Sequence, residues 1–395
     1  MINRLRFALP WIFLLAGTTA LIAVVDRGLP PWTALGFLLG TLLGQEPLSD
    51  LWCLLTHRLC GARLLFVSYG RGRRLWQGTI AGVPVCLGLR PTTGLRISWG
   101  LLPVRAPRIR LWVCSVAWLA VHCGLGVWLA VSCTGAARGV GLAVSCTGAA
   151  RGVGLGLLST LVLLLLLQGA SPVNSAWAVL VLPFRPRALE HHVWSPRGIT
   201  AERLLYRGLV PEARAALGRL STGQEHLTAA GVALAEGRHD DADRLVAKAA
   251  ANGCSALQAH AVAAVVIVCR GDSGELPRSR AGALLAPALD VFGHDDRARL
   301  RALVPAADLA RFNGDPETAV RAARRLAVDA SLSPFWRAQA GCSLAAALIA
   351  AGRPEQAGRA LARARRECPG LARITALEHA LERPDETRRP AGTPG

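Results

Sequence analysis

The chain opens its pattern with an uncharged apolar run, Phe7 to Val25, of 19 residues, about the length a helix needs to span a bilayer core. Arg4 and Arg6 precede it, which predicts a retained helix with a cytoplasmic N-terminus. The competing signal-peptide interpretation is weaker, because the run exceeds a usual h-region and no good Ala-x-Ala site follows. A second apolar helix is predicted from near Pro31 through "TALGFLLGTLLG" into "QEPLSDLWCLLTH". The pattern then changes. "ARLLFVSYG" and "GTIAGVPVCLGLRP" are β-branched, glycine-punctuated runs that predict a small hairpin or sheet, and "GRGRRLW" predicts a glycine turn between them. Continuous hydrophobicity returns at Leu111–Val131. The block "GLLSTLVLLLLLQGASPVNSAWAVLVLPFRPR" is too long for one straight span, so Gly169 to Asn174 is expected to break or bend it.

Between these blocks "AVSCTGAARGVGL" occurs at 130–142 and again, unchanged, at 143–155. Thirteen residues advance a helix by about 220° beyond whole turns, so the copies would face different ways. The repeat is therefore expected in an outer loop or a frayed helix end, with no bearing on function.

From Thr200 the apolar residues recur at helical spacing. Glycine followed five residues later by alanine marks four helix starts: "GLVPEA" at Gly208, "GRHDDA" at Gly237, "GDPETA" at Gly314 and "GRPEQA" at Gly352. The glycine should end one helix, proline or acids open the next, and the alanine allow close packing. The long interval between Gly237 and Gly314 leaves room for one degenerate copy near the 34-residue helical-hairpin period. The region resembles a tetratricopeptide-type array in shape, although the signature Trp and Tyr positions are largely missing. An irregular all-helical bundle is the alternative. Such arrays bind peptides or helices and carry no catalytic residues of their own. "ERPDETRRPAGTPG" after it has the composition of a disordered tail.

Charge sharpens the topology. Of the formal net charge of +19, the segment to Thr200 contributes 18 Arg against Asp26, Glu46, Asp50 and Glu190. Ten of those Arg lie from Arg58 to Arg110 with no acid among them. Basic residues concentrated beside apolar spans mark a cytoplasmic loop rather than a nucleic-acid surface, and "GRGRRLW" is expected to lie on anionic headgroups. Arg185 and Arg187 mark a cytoplasmic exit after four crossings. The eleven Cys form no Cys-x-x-Cys pair and are expected as buried small hydrophobes.

"HRLCGARLLFVSYGRGRRLW", following a hydrophobic helix, and the later "VLVLPFRPR" resemble the site-2 protease family of intramembrane zinc metallopeptidases over roughly residues 30–190. In that family a His-Glu-x-x-His helix holds zinc, its Glu activates water, and a distant Asp completes the site. The resemblance places Ser49, Asp50 and Cys53 at the His, Glu and His positions, and Ala188 at the Asp. A register one turn earlier puts Gln45, Glu46 and Ser49 there instead. Leu180 takes the place of the usual Asn, and the middle-helix Gly-Pro pair is absent. The positions that carry the chemistry depart from the family pattern, which implies a non-proteolytic descendant.

One metal alternative stands on the residues alone. Glu46, Asp50, Cys53 and His57 follow i, i+4, i+7, i+11 spacing, so a continuous helix would place them on one face. Cys53 and His57, one turn apart, could ligate zinc with Glu46 or Asp50 as base, and Glu190, His191 or His192 could supply a third ligand. The competing assignment starts the helix at Pro47 and leaves these as interfacial residues.

The expected fold is mainly α. A first transmembrane helix (1–30) precedes a polytopic membrane domain (31–190) with a small cytoplasmic β insert (62–105). A cytoplasmic helical-hairpin domain (200–381) and the tail (382–395) follow. The expected function is a catalytically inactive membrane scaffold, integral to the cell membrane with both termini cytoplasmic. It would bind a cytoplasmic protein or peptide through its repeats, with no nucleic acid and no cofactor. The alternative is an active intramembrane zinc metalloprotease with non-standard ligands.

Overall fold

The computed structural model describes residues 31–45, 47–104, 106–132, 149–159, 179, 182–184, 189, 192–292 and 296–382. These are mainly helical, with one two-stranded antiparallel sheet. The chain divides into two compact units. One comprises Met1–Ala62, Thr93–Leu95 and Val104–Leu189; the other comprises Arg63–Thr92, Arg96–Pro103 and Glu190–Gly395.

The first unit holds α1 (Pro31–Gln45), α2 (Pro47–Thr56), α3 (Pro107–Ser132) and α4 (149–159). Among the described residues one helix, α3 over Pro107–Val131, is long and apolar enough to cross a membrane. Its polarity is reversed relative to a helix folded in water. Ile109, Val113, Val121, Trp128 and Val131 are exposed, while Ser115 and His122 are buried. In α1 likewise Leu35 and Leu39 are exposed and Thr33 and Thr41 are buried.

Glycines set the approach of these helices. A Cβ at Gly36 would lie 2.0 Å from the Ala149 carbonyl oxygen, and one at Gly40 would lie 2.2 Å from that of Val153. Reciprocally, a Cβ at Gly152 would meet the Thr33 oxygen at 2.0 Å, and one at Gly156 the Phe37 oxygen at 2.3 Å. Each pair is spaced by four, so both helices offer a small-residue face. Gly154, about 200° around α4 from Gly152, instead meets α3, where its Cβ would lie 2.5 Å from the Ala130 nitrogen. The second copy of the duplicated segment therefore supplies a tight helix interface, contrary to the loop or frayed end expected. The reason is local: "ARGVGLG" puts glycine on two opposite faces of one helix. Residues 133–148, the Phe7–Val25 run and the predicted bend at Gly169–Asn174 lie outside the described residues.

The second unit combines a β-hairpin with helices. β1 (Ala62–Ile80) and β2 (Val83–Leu101) form one antiparallel hairpin, the small sheet expected. Its reversal is at Ala81 and Gly82, both left-handed (φ +49° and +77°), the pair of positive angles that a two-residue type I′ turn requires. The glycine turn expected in "GRGRRLW" is absent: Gly70 and Gly72 also have positive φ, but the strand continues through them. Most of the hairpin belongs to the second unit. Leu65, Phe66 and Cys86 share a core with Trp194, Tyr206, Phe335 and Trp336, and burial runs unbroken from Leu64 to Ser68, so both faces of β1 are covered there.

Five consecutive helix pairs follow: α5 (Pro196–Tyr206) with α6 (Val210–Ala216), α7 (Gly223–Ala235) with α8 (His239–Ala251), α9 (Ala256–Ser273) with α10 (Arg278–Asp290), α11 (Asp296–Phe312) with α12 (Pro316–Leu326), and α13 (Pro334–Ala350) with α14 (Pro354–Glu367). α15 (Ala372–Glu382) closes the run. The four repeated glycines act alike. Gly208, Gly237, Gly314 and Gly352 are all left-handed (φ +71° to +83°). In each case the next residue's N–H bonds back five residues, Leu209 to Leu204, Arg238 to Ala233, Asp315 to Ala310 and Arg353 to Leu348. This closes a Schellman turn. The paired alanines, Ala213, Ala242, Ala319 and Ala357, are all fully buried. Between Gly237 and Gly314 lies the α9–α10 pair, with left-handed Gly274 at its turn.

A charged quartet locks the later helices. Arg373 of α15 pairs with Asp272 of α9 at 2.7 Å and Asp308 of α11 at 3.3 Å. Arg311 pairs with the same two carboxylates at 2.6 and 3.0 Å. All four side chains are at most 4 % exposed. Ser343 donates to Asp308 and Arg373 donates to the Gln339 carbonyl at 3.2 Å. Two acids and two bases balance, which is the condition for burying such charge. Cys269 and Cys342 lie close to the quartet; burial pushes the Cys269 thiol up to about 12 against the pull of Arg373. It stays neutral, a small core residue as expected.

Candidate functional site

The described residues aligned with the protease chemistry lie on α2 and in the turn after it. α2 runs from Pro47 to Thr56 and carries Asp50 and Cys53. One Asp50 oxygen accepts a hydrogen bond from the Leu95 amide at 2.5 Å. His57 lies in the turn past the helix end with its Nδ1 2.6 Å from the Leu54 carbonyl. Cys53 is exposed. Ser49 falls within α2, whereas Glu46, Ala188, Glu190 and His191 lie outside the described residues. His192 stacks on Trp99, with ring centroids 5.1 Å apart, in the second unit. Among the described residues no three His, Cys, Asp or Glu converge as a metal-holding group.

In the first unit the polar side chain that sequence reasoning missed is His122. It is 1 % exposed in the middle of α3, its Nε2 lies 3.1 Å from the Leu157 carbonyl, and its ring packs edge-on to Trp118. Trp118 in turn meets Trp52 of α2, whose Nε1 donates to the Cys114 carbonyl at 3.1 Å. This Trp52–Trp118–His122 row ties α2, α3 and α4 together. The signal was a histidine in an otherwise uncharged span, which marks an interior-facing position.

The basic segment of β1 also has a definite place. Gly72 donates to Asp329 at 3.2 Å and accepts from Ala330 at 2.8 Å. Arg74 pairs with Glu367 at 2.7 Å. Glu367 also receives Arg337 at 2.9 Å, and the buried Arg337 further bonds Gln77 and the Cys86 sulfur. Part of the basic run expected to lie on lipid is thus committed to α13 and α14.

The second unit contains a partly enclosed cavity of about 50 Å³. Trp99 of β2, Trp194, Glu202 and Tyr206 of α5, and Phe335 and Trp336 of α13 line it. α5 is placed by its own ends: Ser195 caps it through a hydrogen bond from Gly198, and the Trp194 amide bonds the Leu101 carbonyl of β2 at 2.7 Å. On the α7 side, Thr228 donates to Glu202 at 2.9 Å, and the same hydroxyl faces the Gln224 carbonyl at 3.1 Å. Gln224 donates to Gln258 of α9 at 2.6 Å. Glu202 is only 7 % exposed. Aromatic walls, two amides and one buried carboxylate make a site that can recognise a cationic group and orient it. No pattern in the sequence joins these residues, because they come from a hairpin strand, a loop and four helices.

Comparison with family models, curated proteins and solved structures finds no match to this chain.

Proposed function

We propose that this chain is a polytopic membrane scaffold without proteolytic activity, which presents its helical-pair array in the cytoplasm to a protein or peptide partner. The observation that carries the membrane half is the polarity of α1 and α3, with Thr33, Thr41, Ser115 and His122 inside and Leu35, Leu39, Val113, Val121 and Trp128 outside. The array supports the binding half, since stacked helix pairs offer extended surfaces for peptides. The engagement of one Asp50 oxygen by a backbone amide supports an inactive frame over a working one. The resemblance to the site-2 protease family then describes a retained frame.

The test is made on the full-length protein. It is expected to stay in the membrane pellet after alkaline carbonate extraction, with the helical array digestible from the cytoplasmic side only. Detergent-purified protein is expected to carry far less than one zinc per chain, unchanged in Cys53→Ala and His57→Ala. Near-stoichiometric zinc that both substitutions remove would replace this proposal with an active intramembrane metallopeptidase. Release by carbonate would remove the membrane half of it.

A further inference from the structure

Glu202 differs from the other buried acids of its unit. Asp272 and Asp308 each face two guanidiniums, and Glu367 receives Arg74 and Arg337. Glu225 accepts from the amides of Ser195, Ser221 and Thr222 and from the Ser221 hydroxyl. Glu202, 7 % exposed, has a single hydrogen-bond donor among the described residues, Thr228, and that hydroxyl is shared with a carbonyl. A carboxylate held so far from water without a cation is costly. It also lines a cavity walled by Trp99, Trp194, Tyr206, Phe335 and Trp336, and the faces of such rings attract cations.

We propose that this cavity captures one basic side chain, an alkylguanidinium or alkylammonium group, of the partner that the scaffold binds. The carboxylate and the aromatic faces around it suit a guanidinium or ammonium head. The alkyl stem would lie along the indole surfaces, as basic side chains do on apolar ground.

The proposal rests on the partner-binding reading, yet it is tested without any partner and without reference to the membrane. n-Butylguanidinium is titrated into full-length protein in mild detergent, followed by tryptophan fluorescence and calorimetry, with n-butylurea as its neutral counterpart of equal shape. Saturable binding of the cation, at least tenfold tighter than the urea and at least tenfold weaker in Glu202→Gln, is expected. Glu202→Gln is also expected to raise the melting temperature of the unliganded protein, since it removes a buried charge with no ion-pair partner among the described residues. Equal binding of cation and urea, or no saturable binding of either, would overturn the proposal. So would a lowered melting temperature in Glu202→Gln, which would mark the carboxylate as a structural anchor. Failure here with carbonate-resistant, zinc-poor protein would leave the scaffold intact and remove only this site.

Discussion

Replacing Arg373 with Met tests whether the quartet holds the array together through balanced charge. In the folded protein Arg373 is 1 % exposed and neutralises Asp272 and Asp308, themselves at most 1 % exposed. Methionine nearly preserves the volume but leaves two carboxylates facing Arg311 alone, an uncompensated negative charge in the core. Removing one partner of a buried pair costs about 3–5 kcal/mol, a large share of the 5–15 kcal/mol typical of a whole domain. Because these groups are almost fully buried, solvent screening gives little relief. Asp272→Asn alone should cost a similar amount with the opposite sign of residual charge. The double variant restores one acid facing one base, so it should be no less stable than Arg373→Met. Urea denaturation of the full-length protein in mild detergent, read by tryptophan fluorescence, gives the three values and their coupling. Additive losses in the double variant would refute the argument, because they would show that each side chain acts by shape and hydrogen bonding, with charge balance irrelevant.

Three further outcomes follow from the geometry. Gly152→Val should lower the melting temperature of the detergent-solubilised protein by several degrees, because its Cβ would lie 2.0 Å from the Thr33 carbonyl oxygen, whereas Gly124→Val, with open space around it, should not. Gly352→Ala should cost about 1 kcal/mol for its left-handed backbone alone, and Gly208→Ala clearly more, since its Cβ would also meet the Glu367 oxygen at 2.2 Å; urea midpoints separate the two. At Glu225 burial works to raise the carboxyl's pKa, but the hydrogen bonds from Ser195 and Ser221 outweigh it and hold the group below its ordinary value. A depressed folded-state pKa stabilises above the unfolded value of about 4.3 and is lost as pH falls through the folded one. The stability gap between wild type and Glu225→Gln should therefore be full at pH 7 and shrink below about pH 4; a gap independent of pH would show that the capping geometry matters and the charge does not.

The helix ends were legible because their causes are local. Gly208, Gly237, Gly314 and Gly352 need left-handed backbone whatever surrounds them, and the alanine five residues on is buried because two helices cross there. The same holds for α2 starting at Pro47 and for the apolar span of α3. The hairpin was visible as two β-rich runs, but its length and turn were not. Gly70 and Gly72 signal a reversal just as strongly as Ala81–Gly82, and only pairing of the strands decides between them.

What the sequence by itself determined, then, is what a residue and its close neighbours enforce: the apolar helix α3, the caps and the helix pairs. What only the tertiary structure decided is which distant residues meet. Arg74 and Arg337 converge on Glu367, the duplicated segment turns its glycines to α1 and α3, and Glu202 comes to face a ring of aromatics drawn from the hairpin and from α13. Charge pairing, close backbone approach and cavity formation depend on contacts between residues far apart in the chain, and no local periodicity encodes them.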